Sequence, residues 1–220
     1  MHMIDKSVNF VGSTPILGSV VPLANGVAFE QKFRRKNDIT VAFLGDGAFE
    51  EGVVYETLNL AGLFALPLLL VVENNLYAVN TSLAARRAPG HDTATIVKGF
   101  GALYVRSDGN NYHDVASCAQ EAVAHVRAGK GPAVLECIAY RHMAHSAPIF
   151  DESVRQEDRK EVRVAVDPIR RLREELVAAG LEPEVVEIER AVSKDIEEGV
   201  TFAMSAPYPT QDTLYTDVYA

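Results

Sequence analysis

Two short stretches of this chain combine residue types that could hold a hard cation and an anion together. Gly45-Asp46-Gly47 sets a carboxylate between two glycines, and Asn74-Asn75 offers side-chain amide oxygens. A carboxylate, an amide oxygen and a nearby backbone carbonyl are oxygen donors suited to magnesium. That ion takes few protein ligands and fills its shell with phosphate oxygens and water. Gly45 and Gly47 let a diphosphate approach the backbone closely, and a helix starting beyond them turns free N–H groups toward it. Taken singly, Gly-Asp-Gly and Asn-Asn are ordinary tight turns. Their meaning depends on which elements carry them.

Both stretches sit where a strand is predicted to end. Ile39 to Leu44 is an apolar, β-branched run that stops at Gly45, and Leu68 to Val72 is a second, stopping at Glu73-Asn74-Asn75. Each reads as a buried strand. Glu50 to Leu66 between them has helical spacing, with acids in its first turn. The unit is therefore βαβ. A right-handed crossover brings both strand ends to one edge of the sheet, where open α/β sheets bind ligands. Asp46 and Asn75 can converge although distant in sequence.

The alternation continues on both sides. A helix is predicted from Ser19 to about Arg35, with Gly18 and Gly26 suggesting close packing against another backbone. Gly101 to Ser107 reads as a strand, Tyr112 to Ala128 as an amphipathic helix, and Ala133 to Tyr140 as a strand. The expected fold class is α/β, a mostly parallel sheet with helices on both faces, plus C-terminal helices. We expect an α/β domain over 1–141, a long polar loop over 142–166, and helices and a tail over 167–220. Asp167-Pro168 opens the first of those helices, and Glu182 to about Met204 forms the second.

Composition narrows the function class. The 220 residues carry a formal net charge of −9. From Asp151 onward there are 17 acidic and 9 basic side chains, so −8 of that charge lies in the last third. This balance argues against nucleic acid or an anionic membrane as the main partner. Cys118 and Cys137 match no metal-ligand spacing and read as small hydrophobes in a reducing compartment. The longest apolar run, Leu63 to Val72, is too short to span a bilayer and contains Pro67. The start does not read as a signal peptide, and the expected location is the cytoplasm.

The stretch GDGAFEEGVVYETLNLAGLFALPLLLVVENNLYAV resembles the thiamine-diphosphate motif, GDG followed some thirty residues later by NN. The chain as a whole resembles the alpha subunit of 2-oxo acid dehydrogenases of the pyruvate and acetoin type. GSTPILGSVVPLANGVAFEQK, AGKGPAVLECIAYRHMAHS and the tail SAPYPTQDTLYTDVYA carry that likeness in the same order. The resemblance implies that thiamine diphosphate and Mg2+ bind here. Asp46, the Asn75 amide oxygen and the Tyr77 backbone carbonyl would hold the metal. Gly45, Gly47 and Ala48 would line the diphosphate, and Arg141 would face it. Pro15 and Leu17 would lie near the aminopyrimidine ring. His145 would act beside the thiazolium, which serves as electron sink when a 2-oxo acid loses carbon dioxide. Ser146 matches a serine that some members phosphorylate.

By the same resemblance the cofactor lies between this chain and a beta-type subunit, and the acyl unit passes to a lipoyl or carrier domain. The opening Met1-His2-Met3 resembles an element from the middle of the family's alpha subunit. Either the chain is a piece of a longer alpha subunit or a separate chain supplies the preceding part; the expectation is the separate chain, within a hetero-oligomer. Ala144 stands where the family has a glycine, and alanine disfavours positive φ. Two other readings share the motif: a transketolase-like transfer of a two-carbon unit from a ketose to a carrier protein, and a non-catalytic partner subunit. Release of carbon dioxide separates the first from the main reading, and intact Asp46, Asn75 and His145 speak against the second.

Overall fold

The computed structural model describes residues 2–146 and 160–216. The middle of the loop expected over 142–166 and the end of the tail, Tyr219 included, lie outside the described residues. In chain order the elements are α1 (Val20–Phe33), β1 (Thr40–Gly45), α2 (Gly52–Leu63), β2 (Leu68–Asn74), β3 (Tyr77–Ala78), β4 (Thr81–Ser82), α3 (Leu83–Arg86), α4 (Thr93–Gly99), β5 (Leu103–Asp108), α5 (Tyr112–Arg127), β6 (Ala133–Ile138), α6 (Lys160–Val166), α7 (Pro168–Ala178) and α8 (Glu182–Ser205). The chain divides into two compact units, Met1–Pro168 and Ile169–Ala220.

The first unit is built on a parallel four-stranded sheet in the order β1-β2-β6-β5. Parallel strands need crossovers, and the intervening helices supply them on both faces. On one face Val21, Ala24 and Ala28 of α1, Val54, Leu58 and Ala61 of α2 and Val97 of α4 pack with Ala42, Leu44, Leu68, Leu70, Val72 and Val134. On the other, Ala122 and Val126 of α5 pack with Leu69, Val71, Val105 and Leu135. Because successive residues of a strand point to opposite faces, β2 and β6, covered on both, carry consecutive apolar residues over Leu68–Val72 and Ala133–Leu135. Side-chain caps start α4 and α5. Asp92 accepts from the Thr95 N–H at 3.0 Å, and Asn111 accepts from the His113 and Asp114 N–H groups.

Several local expectations change. β1 is not buried on both faces: burial alternates along it, with Val41 41% and Phe43 63% exposed. It is an edge strand, and beyond β2 the α5 cluster reaches only Ile39, just before β1. The helix expected from Glu50 begins at Gly52, since Glu51 is extended (φ −68°, ψ 137°) and only a short 3-10 turn, Ala48–Glu50, precedes it. The acids thus precede α2 rather than filling its first turn. Gly26 meets nothing within 4 Å of where a Cβ would stand. The close approach belongs to Gly62, whose Cβ would meet the Phe100 carbonyl oxygen at 2.0 Å and keep α2 from seating.

In the second unit, Gly180 (φ 83°) ends α7 in the left-handed conformation. Pro183 lies in the first turn of α8, where its missing N–H costs no bond. Arg173 pairs with Glu189 at 2.9 Å between the two helices. Among the described residues, no helix is long and apolar enough to cross a membrane.

Candidate active site

All four parallel strands end on one edge, with Gly45, Asn74, Ile138 and Asp108 as their last residues. Gly45 pairs in register with Glu73, and Asn74 with Ile138. Asp46 is the first residue past β1 and is 1% exposed. Ala48 is buried beside it. Asn75, the first residue past β2, is half-buried, and its amide oxygen accepts from the Tyr77 N–H at 3.2 Å. That turn uses one lone pair of the amide oxygen and leaves the other for a cation.

Between Asn75 and Tyr77 the backbone is held in an uncommon conformation. Leu76 has φ 70°, and Val79, at the turn of the β3–β4 hairpin, has φ 53°. Non-glycine residues with positive φ cost energy and persist only where their surroundings impose them. The Leu76 N–H reaches the Asn74 amide oxygen at 3.0 Å, and the Leu83 N–H reaches the Leu76 carbonyl at 3.0 Å. The same turn lays the hairpin against β1: a Cβ on Gly47 would stand 2.7 Å from the Ala78 Cβ. Glycine at 47 is what lets the Asp46 loop and the Tyr77 hairpin share one corner.

The other predicted residues lie around that corner to different degrees. The Ala139 N–H donates to the Asn74 carbonyl at 2.9 Å, and the Tyr140 N–H donates to the Asn110 amide oxygen at 2.9 Å. Arg141 follows at once and is half-buried. Pro15 and Leu17 are exposed, Leu17 by 72%. Their neighbour Gly18 sits with its Cβ position 3.1 Å from the Glu51 side chain, close to the start of α2. His145 and Ser146 are exposed on the irregular segment after β6.

A family model described as "Dehydrogenase E1 component" matches residues 1–212. The chain belongs to that family. It is 36% identical over 220 residues to the pyruvate dehydrogenase E1 component subunit alpha of Rhizobium meliloti (strain 1021), covering 99% of this chain and 63% of that protein. It is 38% identical over 224 residues to the subunit of the same name from Zymomonas mobilis subsp. mobilis, covering 99% and 62%. It is 38% identical over 230 residues to the chloroplastic pyruvate dehydrogenase E1 component subunit alpha-3 of Arabidopsis thaliana, covering 100% and 53%. The chain therefore spans less than two thirds of the length of these curated relatives.

In this E1-family chain, two groups of residues at the site escape a reading of motifs. Arg86, at the end of α3, bridges Asp46 and Glu50 through its two terminal nitrogens and reaches the Thr81 carbonyl at 3.2 Å through Nε. Arg87 binds the other oxygen of Glu50 at 2.6 Å and the Thr93 hydroxyl at 3.3 Å. The only sequence signal is two adjacent arginines, and their acidic partners lie 36 to 40 residues away. The second group is Glu136 on β6, 4% exposed. It accepts from the Asn74 side-chain amide at 2.7 Å and from the Tyr104 hydroxyl. Burial, then the bond to Glu136, pushes the Tyr104 phenol well above its ordinary value. A carboxylate this deep persists because both oxygens are bonded, and it fixes the strand end that leads into Asn75.

Proposed function

We propose that this chain holds the diphosphate and magnesium of thiamine diphosphate in a 2-oxo acid dehydrogenase of the pyruvate type. The observation that carries the reading is the buried Asp46 carboxylate at the carboxyl end of β1, beside the end of β2, in a chain of the E1 family. The residues fit the group. A carboxylate, an amide oxygen with a free lone pair and the Tyr77 carbonyl form the donor set of a hard cation. Gly47, closed by Ala78 on one side, keeps side chains out of the corner.

On this reading Asp46, Asn75 and the Tyr77 carbonyl hold Mg2+. Gly45, Gly47 and Ala48 line the diphosphate at the approach to α2, and Arg141 faces it from the end of β6. Pro15 and Leu17 support the aminopyrimidine. The bound thiazolium supplies the electron sink for loss of carbon dioxide. His145 exchanges protons beside the substrate, since an imidazole can give and take a proton near neutral pH. Its position on an exposed segment suits a group that closes when substrate or a lipoyl arm arrives.

The partners are a beta-type subunit and a lipoyl or acyl-carrier domain. Val41 and Phe43 on β1 and Leu63 on α2 are 41%, 63% and 73% exposed, which supports a chain that buries apolar surface in a hetero-oligomer. The test is reconstitution with a beta-type subunit, thiamine diphosphate and Mg2+. Pyruvate should then release carbon dioxide with an artificial electron acceptor, and this chain alone should not do so. Ketose-dependent two-carbon transfer without carbon dioxide would replace this reading with the transketolase-like one.

A further inference from the structure

The Asp46 carboxylate has a cationic partner within this chain. Arg86 binds both Asp46 and Glu50, and Arg87 binds Glu50 from the other side. Their side chains are nearly enclosed: Arg86 is 12% exposed, Arg87 13%, Glu50 23% and Asp46 2%. Two carboxylates and two guanidiniums make the quartet neutral. A neutral enclosed cluster resists an added dication, because two uncompensated charges in a poorly solvated corner are costly. Entry of the cation with an anion is far less costly.

We propose that Arg86 competes with the divalent cation for Asp46, so that cation binding depends on the diphosphate arriving with it. This rests on the reading of Asp46 as a metal ligand. The geometry favours an exchange over a fixed structural pair. Arg86 stands on a four-residue helix directly after the β3–β4 hairpin, so the segment that carries Tyr77 also carries the competitor. When Asp46 is taken over by a cation, Arg86 keeps Glu50 and the Thr81 carbonyl as partners. The guanidinium thus has a second resting contact and need not be left buried and unpaired. Arg87 holds Glu50 throughout and sets where Arg86 goes.

The experiment titrates the 220-residue chain with Mn2+, followed by electron paramagnetic resonance, with and without inorganic diphosphate. Wild type, Arg86→Gln, Arg86→Lys and Asp46→Asn are compared after circular dichroism confirms folding. Without diphosphate, Arg86→Gln should bind Mn2+ about tenfold more tightly than wild type, as expected when a competitor that holds the site most of the time is removed. Arg86→Lys, a point charge that cannot bridge both carboxylates, should fall between and serves if Arg86→Gln fails to fold. The strengthening of Mn2+ binding by diphosphate should be smaller in Arg86→Gln than in wild type. Unchanged Mn2+ affinity in both Arg86 variants would mean a purely structural ion pair and overturn the proposal. Weaker Mn2+–diphosphate binding would overturn it too, making Arg86 a ligand of the anion. If Asp46→Asn binds Mn2+ like wild type, the assignment of Asp46 itself fails, and the competition with it.

Discussion

Two polar clusters, one at the carboxyl edge of the sheet and one within it, are built differently. The first, at the end of β1, joins Asp46 and Glu50 to Arg86 and Arg87 across two loops. The second, between β2, β6 and β5, joins Asn74, Glu136 and Tyr104 within the sheet itself. The second is closed: every partner sits on a strand or its last residue, and both oxygens of Glu136 are bonded. The first joins two segments distant in sequence through charges that, on the proposal above, a divalent cation displaces. Rigid strand contacts suit a scaffold, and exchangeable pairs on loops suit a ligand site.

Removing the Asn75 amide should sharpen this contrast most. Asn75→Ala leaves the closed cluster untouched, because Asn74 makes the contact with Glu136. Magnesium-dependent binding of thiamine diphosphate by the assembled complex should fall about 100-fold, at the upper end of what even an outer-shell change costs a metal site. Stability should fall by only about 1 kcal/mol, for the lost bond from the Tyr77 N–H. Glu136→Ala should do the reverse. It strands the Asn74 amide and the Tyr104 hydroxyl, and unfolding in denaturant should show a loss of about 3 kcal/mol. Glu136→Gln should recover much of that loss, since one acceptor oxygen remains. If Glu136→Ala leaves stability unchanged but removes cofactor binding, the two clusters have been assigned the wrong way round.

The edge strand offers an intermediate effect. Replacing Val41 and Phe43 by threonine should leave the chain folded, because both side chains face away from its core. Association with the proposed beta-type subunit, measured by sedimentation, should weaken about tenfold, which corresponds to about 1.4 kcal/mol. Unchanged association would put the partner surface elsewhere.

The smallest effect concerns Tyr104. Its phenol is raised by burial and by Glu136, so the native chain keeps it protonated where the unfolded chain ionises. That contribution is complete below the ordinary tyrosine value of about 10 and is lost as pH rises through and above it. Tyr104→Phe should cost about 1 kcal/mol at neutral pH, and the gap to wild type should close above about pH 10. A gap that widens with alkalinity would contradict the direction of the shift.

How far the sequence carried these conclusions differs between residues for physical reasons. The strands were legible because β2 and β6 are apolar at consecutive positions, as two covered faces demand. Asp46 and Asn75 were legible because each follows directly on such a run. The exposure of Val41 and Phe43 was not, since an apolar run at a sheet edge looks the same whether a helix or another chain covers it. The hairpin was hidden because Leu76 and Val79 adopt positive φ without glycine. Gly26 and Gly62 are alike as letters, and only the approach of Phe100 tells them apart. Arg86 was invisible as a site residue because an ion pair spanning 40 positions leaves no spacing to read.

The most direct measurement is calorimetric titration of thiamine diphosphate, with and without Mg2+, into the chain assembled with the proposed beta-type partner, for wild type and Asp46→Asn. The account predicts binding that depends on Mg2+ in wild type and is lost in Asp46→Asn while the assembly stays intact. Equal affinity of the two proteins at every Mg2+ concentration would contradict it.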